Sequence, residues 1–199
     1  MLSYDLSIAL LHEGMVSRDG SIVTTSLTMI DVHDIARSAA TYGVRTVYVV
    51  HPSPHLRSLA RTLTTHWTTG YGSTYNPNRR QALGCVNVVA SLDEMLLDLA
   101  DRSAGRAPRL LATSAKGGGD RMAFGEAFSL MNKEENPFVL MLGTGHGMSE
   151  ALLARAHYFL EPINGPTPYN HLSVRSACAI MLDRLHLSHG NSGAITING

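Results

Sequence analysis

Two cysteines in 199 residues, Cys85 and Cys178, are too few and too far apart for a disulfide framework, and no C-x-x-C pair of the zinc-binding kind is present. Both read as ordinary buried thiols. A long apolar run is also missing, and the opening segment MLSYDLSIALLHEG carries Asp5 where a secretory signal places positive charge. A soluble, cytoplasmic protein with no membrane partner is expected. Net charge is absent too: sixteen basic residues balance sixteen acidic ones, so no whole-molecule field favours a polyanion. His51 and His55 stand four apart, but without a His-Glu-x-x-His pattern or a third ligand no metal site is expected. There is no internal repeat.

What is present is an alternation of short β-rich runs with helical patterns, and a hydrophobic content of 44%, enough to bury one core. The runs SIALLH (7–12), RTVYVVH (45–51), VNVVAS (86–91), RLLATS (109–114), PFVLMLG (137–143) and HYFLE (157–161) predict strands. Segments 31–43, 53–67, 91–104, 148–156 and about 170–187 carry apolar residues at helical spacing. Ser91 and Glu94 form a capping-box pattern at the start of one of them. Strands alternating with helices predict an α/β fold, a parallel sheet covered by helices, in a single domain over 1–187 with a small polar tail, 188–199. The Gly- and Asn-rich segments 68–85 and 114–137 read as long connections of the kind that often carry function. Arg18, Arg37, Arg45, Arg57, Arg61, Arg79 and Arg80 against Asp19, Asp31 and Asp34 leave room for a basic face on the N-terminal half, or for an ordinary solvated surface.

The segment FVLMLGTGHGMSEALL (138–153) runs an apolar strand into Gly143, Gly145 and Gly147 and then into a helix, a geometry that lets a ligand approach the backbone. Glu161 follows at the distance of the acidic residue in a dinucleotide fingerprint, which admits a nicotinamide-dependent oxidoreductase. Position argues against it, because that fingerprint opens its unit and only one short strand and a helix remain here. A Gly-rich tight turn with no ligand is the bland alternative. Next, LEPINGPTPYNHLSVRSACAIMLDRL (160–185) sets Pro162, Gly165, Pro166 and Pro168 in a stiff loop ahead of a packing helix.

Taken in order, DVHDIARSAATYG, LMLGTGHGMSEAL and LEPINGPTPYNHLSVRSA resemble the three motifs of the SPOUT RNA methyltransferases. VTTSLTMIDVHDIARSAATYGV, GYGSTYNPNRRQAL, ATSAK and YNHLSVRSA resemble signatures of the stand-alone bacterial branch. The resemblance covers residues 7–187. It implies a deep C-terminal trefoil knot, a homodimer, an RNA substrate (tRNA or rRNA), and S-adenosylmethionine held mostly by backbone in the knot loops. Those loops are here Thr113, Ser114 and Ala115; Leu142, Gly143, Thr144, Gly145 and Gly147; Glu161, Pro162 and Ile163; and Leu172, Ser173 and Ala177. Gly143 and Gly145 would leave room, and Ile163 and Leu172 would flank the adenine. The best-known ribose-methylating relatives carry Asn and Ser where Ser173 and Arg175 align, so methylation of a base is favoured over ribose. A cofactor-free RNA-binding or dimerisation module of the same fold is the alternative.

Methyl transfer from a sulfonium asks little of side chains beyond placing the acceptor and receiving its proton. Arg37 matches the arginine of the first motif and would face the cofactor from the partner subunit, to clamp a phosphate or orient the acceptor. Its alternative is an ion pair with Asp34, one turn away. Asp31 is a candidate base or acceptor anchor, or else a helix N-cap. His33 is a candidate proton shuttle, or a structural histidine. Arg79, Arg80, Tyr71 and Tyr75 are candidates for RNA contact through phosphate pairing and base stacking.

Overall fold

The computed structural model describes residues 5–115 and 119–191. In chain order its elements are β1 (Leu6–Leu11), β2 (Met15–Val16), β3 (Ile22–Val23), α1 (Met29–Thr41), β4 (Thr46–Val50), α2 (Pro54–Thr68), α3 (Tyr71–Tyr75) and α4 (Pro77–Leu83). There follow β5 (Val86–Val89), α5 (Leu92–Arg102), β6 (Arg109–Ala112), α6 (Phe124–Lys133), β7 (Phe138–Gly143), α7 (Glu150–Leu153), β8 (Tyr158–Phe159) and α8 (Val174–Asn191). Six strands form one sheet in the order β5-β4-β1-β7-β6-β8, every pairing parallel. All six strands expected from the alternation are there.

The central strands are buried along their whole length, as a sheet covered on both faces requires. Their period of two sorts side chains between two cores. Leu6, Ile8, Leu10, Val47, Val49, Leu140 and Leu142 face α1, α2, α4, α6 and α8. Ala9, Leu11, Tyr48, Val50, Val139 and Met141 face α5 and α7. No helix among the described residues is long and apolar enough to cross a membrane.

Three helices stand where connections were expected. Within 68–85, the Asn76 side chain accepts from the Arg79 amide at 3.0 Å and Pro77 occupies the first turn, so α4 is capped by an Asn-Pro start that composition alone disguised. Short α3 precedes it. Within 114–137, Phe124, Ala127, Phe128 and Met131 give α6 a buried stripe, and Glu126 reaches back to the Ala123 amide at 3.0 Å. Helix α8 begins at Val174 and continues to Asn191, past the expected end at 187; residues 192–199 of the expected tail lie outside the described residues.

Chain direction puts the site at one place. From its first strand the chain winds outward through β4 to β5, crosses to β6, and inserts β7 between β6 and β1. Neighbours β1 and β7 run parallel but hand on to opposite faces, β1 to α1 and β7 to α7. A crevice opens beyond the carboxyl ends of two strands that diverge in this way.

Candidate functional site

A cavity of about 900 Å³ occupies that crevice on the α1 and α8 side. It draws its walls from Thr113, Ser114 and Ala115 after β6, the whole run Leu142–Met148 at the end of β7 and beyond it, Ile163, Asn170–Arg175, and Ala177 and Met181 of α8. Nearly all the segments expected to hold the cofactor therefore converge on one space. Two side chains expected there do not line it. Glu161 Oε1 accepts from the Phe124 amide at 3.2 Å and so caps α6, and Pro162 beside it is likewise off the wall. With Glu161 engaged in this way, the acidic residue of a dinucleotide site is missing as well.

The Gly-rich turn is fixed from below. Thr144 donates its hydroxyl to the Leu11 carbonyl at 3.0 Å, and the Gly147 amide closes onto the Thr144 carbonyl at 3.1 Å. Gly145 and Gly147 have φ of 61° and 106°, values that exclude ordinary side chains. Gly143 serves a different purpose from the one expected: a Cβ there would stand 2.8 Å from Met148 Cγ and 3.4 Å from Met15 Sδ, so its bareness makes room for methionine packing directly and for the ligand only through the loop. Thr113 turns its hydroxyl inward to the Met141 carbonyl at 2.8 Å, and Ser173 uses its own to receive the Ser176 amide at 3.3 Å. Asn170 ties the proline-rich loop to the Ala115 carbonyl at 3.0 Å.

The remaining wall is acidic and basic. Helix α1 starts at Met29 with Thr28 in the N-cap position, so Asp31 lies in the first turn and is not the cap. Its carboxylate accepts from the Thr28 hydroxyl and from Arg175 Nη1 at 3.0 Å, and it lines the cavity. Arg175 Nε also lies 3.6 Å from Asp34, which in turn stands 3.8 Å from Arg37. No local pattern announces this clamp between α8 and α1, because Arg175 and Asp31 are 144 residues apart. Arg37 does not line the cavity of its own chain; its ion pair with Asp34 is long, and 63% of the side chain is exposed, so that pair holds it weakly.

A second group of expected residues meets on the outer side of α1. The Arg79 guanidinium covers the Trp67 ring at 4.4 Å, and His33 and His66 meet the same ring edge-on at 5.7 and 5.0 Å. Burial, then the charges of Arg79 and Arg37, hold the His33 imidazole below its usual range. Tyr71 and Tyr75 stack on each other at 6.2 Å with both side chains exposed. Trp67, inside α2, was not singled out by its spacing. The basic face is narrower than the count of arginines implied: Arg57 and Arg61 donate to the carbonyls of His51 and Val88, and Arg45 pairs with Asp5.

Beneath the crevice, His12 and His51 lie with rings 5.1 Å apart. The Ser53 amide donates to His51 Nδ1 at 3.0 Å, which leaves Nε2 to donate to the Thr25 carbonyl at 3.1 Å. Burial pushes His12 down to about 4.

Known proteins resemble this chain in sequence and in fold. A tRNA (guanine-N(1)-)-methyltransferase of Nitratidesulfovibrio vulgaris is 41% identical over 181 residues, which are 91% of this chain and 42% of that protein. The chain thus spans less than half the length of that relative. A protein of Aquifex aeolicus is 36% identical over 185 residues, 93% of this chain and 90% of its own length. The fold matches that of the SpoU methyltransferase AviRb from Streptomyces viridochromogenes in complex with AdoMet, with a TM-score of 0.56 at 16% identity, over 98% of this chain and 63% of that one. The fold is accordingly that of the SPOUT class, and with residues 5–187 matching the family model, the chain belongs to the SAM-dependent RNA methyltransferases.

Proposed function

We propose that this chain transfers the methyl group of S-adenosylmethionine to a base of tRNA, acting in the cytoplasm as a homodimer with its C-terminal segment knotted. The observation that carries the reading is the convergence of Thr113–Ala115, Leu142–Gly147, Ile163 and Leu172–Ala177 on one cavity. Its volume of about 900 Å³ falls within the range of small-ligand sites. Leu142, Ile163, Leu172, Ala177 and Met181 supply an apolar wall suited to an adenine, while the glycine turn and the 113–115 segment offer backbone donors and acceptors for the polar end. The choice of tRNA follows the activity named for the Nitratidesulfovibrio relative. Because this chain corresponds to only part of that protein, guanine N1 is the first atom to test and not a premise.

Bound S-adenosylmethionine supplies an electrophilic methyl carbon whose leaving group is a neutral thioether. For a ring N–H acceptor, the N–C bond forms as the C–S bond breaks, and the ring proton must leave. Asp31, paired with Arg175 at the cavity wall, is the group placed to receive it. Arg37, free of its own cavity, reaches the partner's site in the dimer and holds the acceptor or a neighbouring phosphate. His33, kept neutral by burial and by Arg79, relays a proton on the outer side of α1. Arg79, Arg80, Tyr71 and Tyr75, with Trp67, contact RNA by charge and by stacking.

Calorimetric titration with S-adenosylmethionine and its demethylated product, beside NADH, tests the cofactor. Transfer of labelled methyl to bulk tRNA and to rRNA, followed by nucleoside analysis, tests the acceptor. Saturable binding of the methyl donor and label in a tRNA base are expected. Binding of NADH alone would overturn the reading, and absence of binding with or without RNA would leave a catalytically inactive RNA-binding module.

A further inference from the structure

Between β1 and α1 the chain inserts the β2–β3 hairpin, and β2 is hydrogen-bonded to the loop that follows β7. The Val16 amide donates to Gly147 O at 2.8 Å, the His146 amide to Val16 O at 3.2 Å, and the Ser149 amide to Gly14 O at 2.9 Å. Hairpin and glycine turn are therefore one unit. The hairpin tip is closed by its own hydrogen bonds. Ser17 and Ser21 close it through an amide-to-carbonyl bond of 2.9 Å, and Gly20 turns it with φ of 87°. Asp19 Oδ1 accepts from the Ser21 amide at 3.0 Å, from the Ser21 hydroxyl at 2.8 Å and from the Ser17 hydroxyl, and these bonds hold its carboxyl down at about 2.

Asp19 is thus ionised but turned into its own turn, and it forms no ion pair with the residue beside it. Arg18 is exposed, lines the cavity, and among the described residues has no carboxylate within 4.0 Å. Arg45 in the same half of the chain pairs with a carboxylate and Arg57 and Arg61 donate to carbonyls, whereas the Arg18 guanidinium has no such acceptor among the described residues. A cation with no ion pair among the described residues, carried on a hydrogen-bonded tip at the mouth of the methyl-donor cavity, suits an anion carried in by the other reactant. The guanidinium fork matches the oxygens of a phosphate diester.

We propose that Arg18 is a phosphate contact for the RNA substrate, positioning the strand as its acceptor nucleotide enters the cavity. The proposal rests on the methyltransferase reading above. It is tested by filter binding of bulk tRNA, from a strain lacking this gene, to the full chain and to Arg18→Ala, Arg18→Lys and Arg106→Ala, between about 50 and 200 mM salt. Arg18→Ala should weaken binding several-fold at the low end and flatten the slope of log affinity against log salt by about one, the loss of one phosphate contact. Arg18→Lys should restore the slope, and Arg106→Ala, on the far loop after α5, should not change it. Wild-type slope in Arg18→Ala overturns the proposal alone. So does a fall in S-adenosylmethionine affinity with the slope unchanged, which would assign the guanidinium to the cofactor carboxylate. Wild-type protein that neither binds nor labels the RNA overturns the underlying reading and the proposal with it.

Discussion

At the scale of single residues, the chemistry below the crevice is set by burial. His12 is 1% exposed, donates from Nδ1 to Val50 O at 3.2 Å, and titrates near 4 where a free histidine titrates at 6.5. The folded state therefore binds fewer protons than the unfolded state in that window. Stability from this residue is complete above about 6.5 and is lost as pH falls toward about 4, by roughly 3 kcal/mol for a shift of this size. His51 moves in the same direction, again chiefly through burial. Urea unfolding at pH 7 and at pH 4.5 should show the wild type losing most of that amount, with a shallower pH slope in His12→Asn; equal slopes would mean that His12 charges freely in the native state. Gly143 makes a separate test. A valine there meets Met148 and Met15, so Gly143→Val should cost about 1–3 kcal/mol by overpacking and should also abolish calorimetric binding of S-adenosylmethionine. Lost stability with retained binding would show that the glycine turn does not shape the cavity.

At the scale of elements, what the sequence discloses is what local pattern encodes. Buried parallel strands such as β1 and β4 announce themselves as apolar β-rich runs, and the amphipathic α5 announces itself by spacing and by its Ser91 cap. Helices α4 and α6 hid because Asn, Gly and Pro mark a helix start as readily as a loop, and only the bonds made by Asn76 and Glu126 decide between them. The segments that line the cavity were legible through resemblance. The clamp that seals them was not, since no local pattern tells Arg175 that Asp31 lies across the crevice. That clamp has a measurable worth: Asp31 is 14% exposed and relies on Arg175 for one of its two side-chain partners. Arg175→Met should cost about 1–3 kcal/mol by leaving a largely covered carboxylate short of a partner, and adding Asp31→Asn should recover part of it. Additive losses in the double variant would mean that the pair is not coupled.

At the scale of the molecule, the arrangement divides labour between two surfaces of one chain. The cavity lies between the ends of β1 and β7, while Arg37 lies outside it, two turns along α1 from Asp31 and loosely attached to Asp34. On the reading proposed above, Arg37 serves the cavity of a second subunit, and a twofold dimer supplies one by exchanging the same surfaces reciprocally. Arg37→Ala should then abolish methyl transfer while leaving S-adenosylmethionine affinity nearly intact, and Gly145→Val, strained at φ of 61° and close to Thr25, should abolish binding itself. Neither variant is active alone. Mixed and allowed to exchange, half of the dimers are hybrids, and each hybrid pairs one sound cavity with one sound Arg37, so activity should return to about a quarter of the wild type. Recovery of that size requires the arginine to act across the interface; no recovery in a mixture shown by mass spectrometry to contain hybrids would place Arg37 in the service of its own subunit.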